Sequence, residues 1–576
     1  MAVTEITEIT ESPVIPTSVS PQLPASTAGD TFTAPEPPNL TRSPKIRTKL
    51  RLYGILASLY LALFLAALDT TIVAQSIPTI CNELNSAAGY VWIGGAYLLA
   101  SAATGPIWSK FSDIWGRKLI FLVVIVLFTG ASILAALSRV IAELLAARAL
   151  QGVAAGGLII LSTTIISDIF SVRERSFYLG LTGFVWAIAG SAGPLVGGAF
   201  TQFVTWRWCF WINLPICGIT FGLAFILLDV NNPRTKLVEG LKAVDWLGIF
   251  LILTVTILTL VGLNFGGSEF PWKSPTVITL IVVGGATIGL FLFTEHRLAK
   301  YPLIPLSVFK STTNNAVFIT TFSHGVVLVG IEYYMPLYLQ SVQQASPIRS
   351  GVLLLPLIVV QAVVEILSGW AIDRTGRYIE FIWAGSILMT LGTGLYILFG
   401  ADTTTAVVVG LQIVGAFGPA LLFQAPVVAI QNAVTQENTA AATATLFFLR
   451  NIGMSLSIVV GGVVFQNSMN ARQSTLAAAG LDESVLEALA GSRAAANVYI
   501  TRTIQDASQR RVILEAFAWS VRNMFILYTA FAATTVFASV FVKHKNLTTE
   551  HTETKTGLEH MKTTKHSEES SGRELE

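Results

Sequence analysis

Runs of about twenty apolar residues recur along this chain, and a run of that length is what a helix needs to cross a hydrocarbon layer about 30 Å thick. Fourteen such runs can be counted. Six precede Asn231, over residues 52–76, 90–108, 119–137, 141–166, 177–200 and 208–228. A middle pair covers 244–263 and 277–294. Six more follow, over 314–339, 351–372, 379–399, 405–430, 440–465 and 524–542. Inside hydrocarbon every backbone N–H and C=O must find its partner within its own segment, so continuous runs of this kind are restricted to helices. Composition agrees: 53% of the 576 residues are hydrophobic and 12% charged, against about 25% charged in soluble domains. The expectation is an all-α integral membrane protein with fourteen transmembrane helices in a six, two, six pattern.

The loops give an orientation. Arg42, Lys45, Arg47, Lys49 and Arg51 precede the first run. Alternate loops then carry Lys110, Arg117 and Lys118; Arg173 and Arg175; Arg234, Lys236 and Lys242; Arg297, Lys300 and Lys310; Arg374 and Arg377. The opposite set holds Arg139, Arg207, Lys273 and Arg349. Lys and Arg collect on the cytosolic side, which places both termini there. The segment 466–522 strains this assignment with Arg472, Arg493, Arg502, Arg510 and Arg511, yet long translocated loops tolerate basic residues. It is read as extracellular, with a surface helix around Leu481, Val485, Leu486 and Leu489.

The polar stretches 1–51 and 543–576 read as disordered cytosolic tails, and the first lacks the basic start and apolar core of a secretory signal. The sequons at Asn39 and Asn546 fall in these tails, so no N-glycan is expected. Between the tails the reading is a six-helix bundle over 52–230, a linker with two helices over 231–313, and a second six-helix bundle over 314–542. Cys81, Cys209 and Cys217 have neither ligand spacing nor a disulfide pattern, so no metal is expected. No P-loop, HExxH helix or G-x-S-x-G elbow occurs, so neither ATP-driven pumping nor hydrolysis is indicated and no cofactor is implied.

Asp69, in the stretch LDTTIVAQSIP over 68–78, sits inside the first apolar run, where a charge costs roughly 2.5–3.5 kcal/mol on insertion scales. An acid at that position is either a polar contact to a neighbouring helix or a group that takes up and releases a proton. The two halves also repeat a turn. After the second run of each half stands Asp-x-x-Gly-Arg, at Asp113, Gly116, Arg117 and Lys118 within SKFSDIWGRK, and at Asp373 and Arg377 within SGWAIDRTGR. Gly permits the tight turn, while Arg can pair with a carboxylate or cap carbonyls of a neighbour. The repeat suggests a duplicated bundle.

In these motifs the chain resembles the major facilitator superfamily, and within it the fourteen-span drug:proton antiporter branch with its fungal toxin and secondary-metabolite efflux pumps. The likeness spans roughly residues 52–541. Residues 68–78 resemble the first-span signature of that branch. The turn at Asp113 resembles the superfamily's loop signature, with Ser109 where the family usually has Gly. RALQGVAAGG over 148–157 resembles an Arg-x-x-Gln-Gly motif, which implies that Arg148 takes part in proton coupling. GSAGPLVGG over 190–198 resembles the antiporter motif, with Gly190, Gly193, Pro194, Gly197 and Gly198. WRWCFWINLP over 206–215 matches the fungal efflux group. Small residues three and four apart let another helix approach closely, and Pro194 removes a backbone bond.

The second half adds Glu332, Glu365 and Arg450 as coupling candidates; His324 is read as a structural contact. The substrate cavity is expected to be mostly apolar. Gln75, Trp186, Phe322, Gln361, Gln424 and Arg450 are its candidate lining, with Phe184, Phe221, Tyr333, Phe417 and Phe447 as further aromatic choices. The leading reading is a plasma-membrane, proton-coupled exporter of small organic molecules, functional as a monomer and with no nucleic-acid partner. Alternatives are a siderophore or nutrient importer of the same fold and, more remotely, a non-transporting sensor.

Overall fold

A computed structural model describes residues 49–73, 76–84, 89–230, 233, 235–266, 270–491, 493–547 and 557. Fourteen long helices carry the fold: α1 (Lys49–Ile72), α2 (Gly89–Trp115), α3 (Arg117–Leu137), α4 (Ile141–Ile169), α5 (Arg175–Phe203), α6 (Trp208–Leu227), α7 (Trp246–Phe265), α8 (Pro275–Arg297), α9 (Thr312–Ser341), α10 (Pro347–Thr375), α11 (Ile379–Leu395), α12 (Thr405–Ala433), α13 (Thr439–Ala471) and α14 (Ala507–Ser539). Thirteen of them are long and apolar enough among the described residues to cross a membrane. The remaining one, α2, coincides with the expected run 90–108 but is diluted by Gly, Ser, Thr, Trp and Tyr.

Local sequence sets the ends. Asp245 caps α7 through the Gly248 N–H at 2.9 Å, and Ser346 caps α10 through the Arg349 N–H at 3.2 Å, each satisfying an otherwise orphaned donor. α6 is made of two pieces, Trp208–Trp211 and Asn213–Leu227. α14 begins at Ala507, upstream of the expected start at 524, so much of the charged stretch before the apolar run is helical. The rest of the expected loop holds short helices; the one at Glu483–Ala488 has no buried residue and carries Val485 and Leu486 half-buried, while the flanking Leu481 and Leu489 are buried.

The packing repeats. In the first half α1 lies against α5 and α6, α2 against α4, and α3 against α4 and α6; in the second, α9 lies against α13 and α14, α10 against α12, and α11 against α12 and α14. Shifting every label by eight converts one list into the other, which is what duplicated six-helix bundles require. The halves meet where α5 packs on α10 and α2 on α13, pairs that the same shift exchanges. α7 and α8 pack on each other, and α7 also lies along α2 and α13.

The seam between the halves is tied at one end. Gln424 Nε2 donates to the Leu179 carbonyl at 2.7 Å and to Thr182 Oγ1 at 3.1 Å. Gln431 Nε2 donates to Ser167 Oγ at 2.9 Å. Arg173 donates to the carbonyls of Asp373 and Arg374. Among the described residues every hydrogen bond joining 49–230 to 312–547 lies in this region, the end that carries both Asp-x-x-Gly-Arg turns. Backbones come close there: Gly180 faces the Glu365 carbonyl and Gly369, and a Cβ on Gly369 would stand 2.5 Å from the Ser176 carbonyl.

Candidate functional site

Asp69 is 0% exposed, and α1 carries it against α4 and α6. Arg148, on α4 and 1% exposed, donates from Nη1 to Asp69 Oδ2 at 2.5 Å. The other carboxylate oxygen accepts from Asn213 Nδ2 at 2.9 Å and from Gln151 Nε2 at 3.2 Å. Ser132 Oγ on α3 takes further bonds from Gln151 at 3.0 Å and Asn213 at 3.3 Å. Arg148 is itself fixed, donating from Nε to the Ile93 carbonyl at 3.0 Å and from Nη1 to Gln151 Oε1 at 3.0 Å. Its guanidinium lies 4.4 Å from the centre of the Tyr97 ring. The costly intramembrane acid is thus paired and hydrogen-bonded, the arrangement that makes a buried charge tolerable.

Sequence reasoning reached Asp69 and Arg148 but assigned no role to Gln151, Asn213 or Ser132. The first two lie inside quoted motifs: Gln151 is the Gln of Arg-x-x-Gln-Gly, and Asn213 belongs to WRWCFWINLP. Helical spacing would have flagged Gln151, three residues after Arg148 and on the same face. Asn213 and Ser132 come from separate helices and carry no such signal.

The antiporter-like glycines divide into two pairs. A Cβ on Gly193 would strike Thr71, and one on Gly197 the Ile72 carbonyl, so both sit on the turn of α1 that follows Asp69. Thr71 Oγ1 also donates to the Ala189 carbonyl at 3.0 Å. Gly190 and Gly198 have nothing within 4 Å of a Cβ position. Pro194 lies within the helical run of α5.

Trp206 and Arg207 fasten the end of the first half away from the tied seam. Both donate to Glu83 at 2.7 Å, Trp206 from its indole and Arg207 from Nη1. Arg207 also reaches the Ser138 carbonyl at 3.2 Å and lies 4.2 Å from the Trp206 ring centre. The hydrogen bonds from Arg207 and then Trp206 hold the Glu83 carboxyl below its ordinary range.

The two repeated turns both place glycine at positive φ, but with ψ 150° at Gly116 and 13° at Gly376, and they differ in charge. Gly116 has φ 94° and Gly376 φ 68°, a region that favours glycine. In the first turn Arg117 pairs with Asp113 at 2.5 Å and with Asp168 at the end of α4 at 2.9 Å, in a buried triad. Lys118 instead lies at the surface, donating to the Phe225 carbonyl at 2.7 Å. In the second turn Arg377 pairs with exposed Glu380 at 3.4 Å, and the Asp373 backbone receives Arg173 from the other half. Ser109 is buried, and its hydroxyl has no hydrogen-bond partner among the described residues.

In the second half Glu365 is 7% exposed and lies against Gly183, where a Cβ would collide with its carboxyl group. Its Oε2 has no hydrogen-bond partner among the described residues. Arg450 is buried and donates to the Phe423 carbonyl at 2.9 Å, with its guanidinium 4.6 Å from the Phe423 ring and 5.2 Å from Phe447. Arg450 Nε and Nη1 have no partner among the described residues. Glu365 and Arg450 feel each other electrostatically, as do Glu365 and Glu332, but no ion pair joins them. His324 Nε2 meets the Pro419 carbonyl at 3.0 Å, a structural contact.

Of the other lining candidates, Gln424 is a seam residue bonded to α5, and Gln361 is buried one turn from Glu365. Trp186 is half-buried against the core beside Asp69, and Phe322 is half-buried with its carbonyl against Gly453. Phe184, Tyr333 and Phe417 are exposed, while Phe221 stacks on Phe225. Gln75 lies outside the described residues.

The model of the Major Facilitator Superfamily matches residues 59–458. The chain therefore belongs to this superfamily of membrane transporters. It is 44% identical over 508 residues to a protein named efflux pump dotC of Dothistroma septosporum, covering 88% of this chain and 87% of that one. It is 41% identical to the MFS-type transporter ppz2 of Metarhizium majus, covering 89% and 88%. Among solved structures it is similar to the proton:xylose symporter XylE, with TM-score 0.53, 14% identity and coverage of 84% of this chain and 95% of that one. The human organic anion transporter MFSD10 gives TM-score 0.52 at 14% identity, covering 83% and 99%. At that identity the structural likeness speaks to the fold alone.

Proposed function

We propose that this protein exports small organic molecules in exchange for protons, by rocking of its two six-helix bundles about a midplane site. The observation that carries the reading is the Asp69 network, which abuts the two tightly packed glycines of α5 through Thr71 and Ile72. Protonation of Asp69 removes the charge that holds Arg148, Gln151 and Asn213 in place. Their rearrangement is transmitted to α5, the helix that also forms the seam with α10. A proton event and the inter-half contact thereby share one helix. Glu365, across that seam against Gly183, is the second coupling candidate, while half-buried Glu332 is its electrostatic neighbour. The name of the Dothistroma septosporum relative, an efflux pump, supports export; a secondary metabolite or toxin is the proposed class of cargo.

The tied end, with its basic loops, is read as cytosolic, together with both termini; the protein is then closed inward, in a plasma membrane, acting as a monomer. The test is accumulation of fluorescent and metabolite-like compounds in inside-out vesicles under an acid-inside gradient. Accumulation that depends on the gradient and is lost in Asp69→Asn at unchanged protein level is the expected result. Gradient-driven accumulation that survives Asp69→Asn overturns the role of Asp69, and uptake into intact cells with no export favours the importer.

A further inference from the structure

The two middle helices contribute nothing to the sites above, and their anchoring is one-sided. At one end of α2, Trp92 meets Phe265 of α7 edge to face, with ring centres 5.8 Å apart. At the other end Lys110, buried, donates from Nζ to the Pro302 carbonyl at 3.0 Å and lies 5.9 Å from the Tyr301 ring centre. Its ammonium interacts electrostatically with Asp245 at the cap of α7, Glu295 in the last turn of α8, and Asp113. Glu295 is buried: one of its oxygens accepts the Leu303 N–H at 3.2 Å, and the other has no hydrogen-bond partner among the described residues. One turn further along α2, the Trp115 ring presses on Gly240, where a Cβ would stand 2.6 Å from the indole.

Beyond Pro305 the chain changes sides. Asn314 and Asn315 of α9 donate to the carbonyls of Val308 and Phe309, both at 2.8 Å. The Phe309 ring lies 5.1 Å from Phe318. By contrast, no hydrogen bond, ion pair or ring pair among the described residues joins 246–297 to 312–539, although α7 runs along α13. A buried lysine among carboxylates separates only at the expense of stranding charge in a low-dielectric setting. An apolar helix face without polar bonds slides freely by comparison.

We propose that α7 and α8 form one rigid body with the first bundle, that Lys110 is the positioning residue that holds them there, and that the two moving halves flex at Pro305, just past the residues that Lys110 and Glu295 hold. α7 then acts as a cover that travels with α2 while α13 moves beneath it, keeping the α2–α13 seam closed to lipid. The inference rests on the rocking motion proposed above. It is tested in full-length protein lacking Cys81, Cys209 and Cys217, with Ser176→Cys, buried at the tied seam, as a reporter. Its alkylation by N-ethylmaleimide is read by mass spectrometry of the peptide that carries it.

Bridging Trp92→Cys to Phe265→Cys with a short bifunctional maleimide before alkylation is expected to leave the rate unchanged. Bridging Thr182→Cys to Gln424→Cys, across the halves, is expected to suppress it at least tenfold. If the first bridge slows alkylation tenfold, the middle pair moves against the first bundle and the proposal is wrong. If the second bridge has no effect, the rocking motion fails, and this proposal with it. Without bridges, Lys110→Met is expected to raise the rate at least threefold and Lys110→Arg to leave it near the parent. An unchanged rate in Lys110→Met overturns the role of Lys110.

Discussion

Arg148 holds the Asp69 network through geometry as much as charge. Its planar group serves Asp69, Gln151 and the Ile93 carbonyl at once, a fork that a lysine ammonium does not reproduce. Arg148→Lys is therefore expected to reduce gradient-driven export at least tenfold in the vesicle assay, although the positive charge remains. Truncation to alanine leaves a buried carboxylate uncompensated, which typically costs about 3–5 kcal/mol. Glu83 behaves differently because it is half exposed and its ion-pair partner Arg207 is itself partly exposed. Its folded carboxyl is held low, so its contribution to stability is present above the unfolded carboxylate pKa and fades as pH falls through the lower folded value. Glu83→Gln should destabilise the detergent-solubilised protein by less than about 1 kcal/mol at neutral pH. The difference from the parent should vanish in strongly acidic buffer, as thermal unfolding across pH would show.

At the scale of single helices, α5 is the informative element. Its glycines look equivalent in sequence, yet Gly193 and Gly197 touch α1 while Gly190 and Gly198 face open space. Overpacking a close helix contact costs typically about 1–3 kcal/mol. Gly193→Ala and Gly197→Ala should lower thermal stability and export together, whereas Gly190→Ala and Gly198→Ala should leave stability within about 0.5 kcal/mol of the parent. A Gly190→Ala protein that is stable yet inactive would show that this position packs closely in the opposite conformation. α6 shows how an element can be legible in outline only. Its apolar run is visible, but the break that turns Asn213 toward Asp69 is not.

At the level of the two halves, the proposed rocking motion makes the tied seam the contact that sets the balance between conformations. Arg173 donates a charged pair of bonds to the carbonyls at the end of α10, and such bonds are each worth roughly 1.5–3 kcal/mol net. Arg173→Ala should shift the population toward opening at that end by at least about tenfold. Faster alkylation of a cysteine at Ser176 would register it.

The class of fold is legible in the primary chain, because twenty-residue apolar runs leave the backbone no alternative to a helix. The duplication is also visible there, through the Asp-x-x-Gly-Arg motif that recurs after the second apolar run of each half. Asp69 stood out because a charge in hydrocarbon is costly, and Arg148 because its surroundings resemble the family's Arg-x-x-Gln-Gly motif. Relations between helices distant in sequence emerge only in the folded protein. These include the convergence of Asn213, Gln151 and Ser132 on one carboxylate, the seam contact of Glu365 with Gly183, and the anchoring of the middle pair to Lys110. Helical periodicity fixes which residues share a face, but which faces meet depends on how fourteen helices pack together, and that is settled only when all of them are in place.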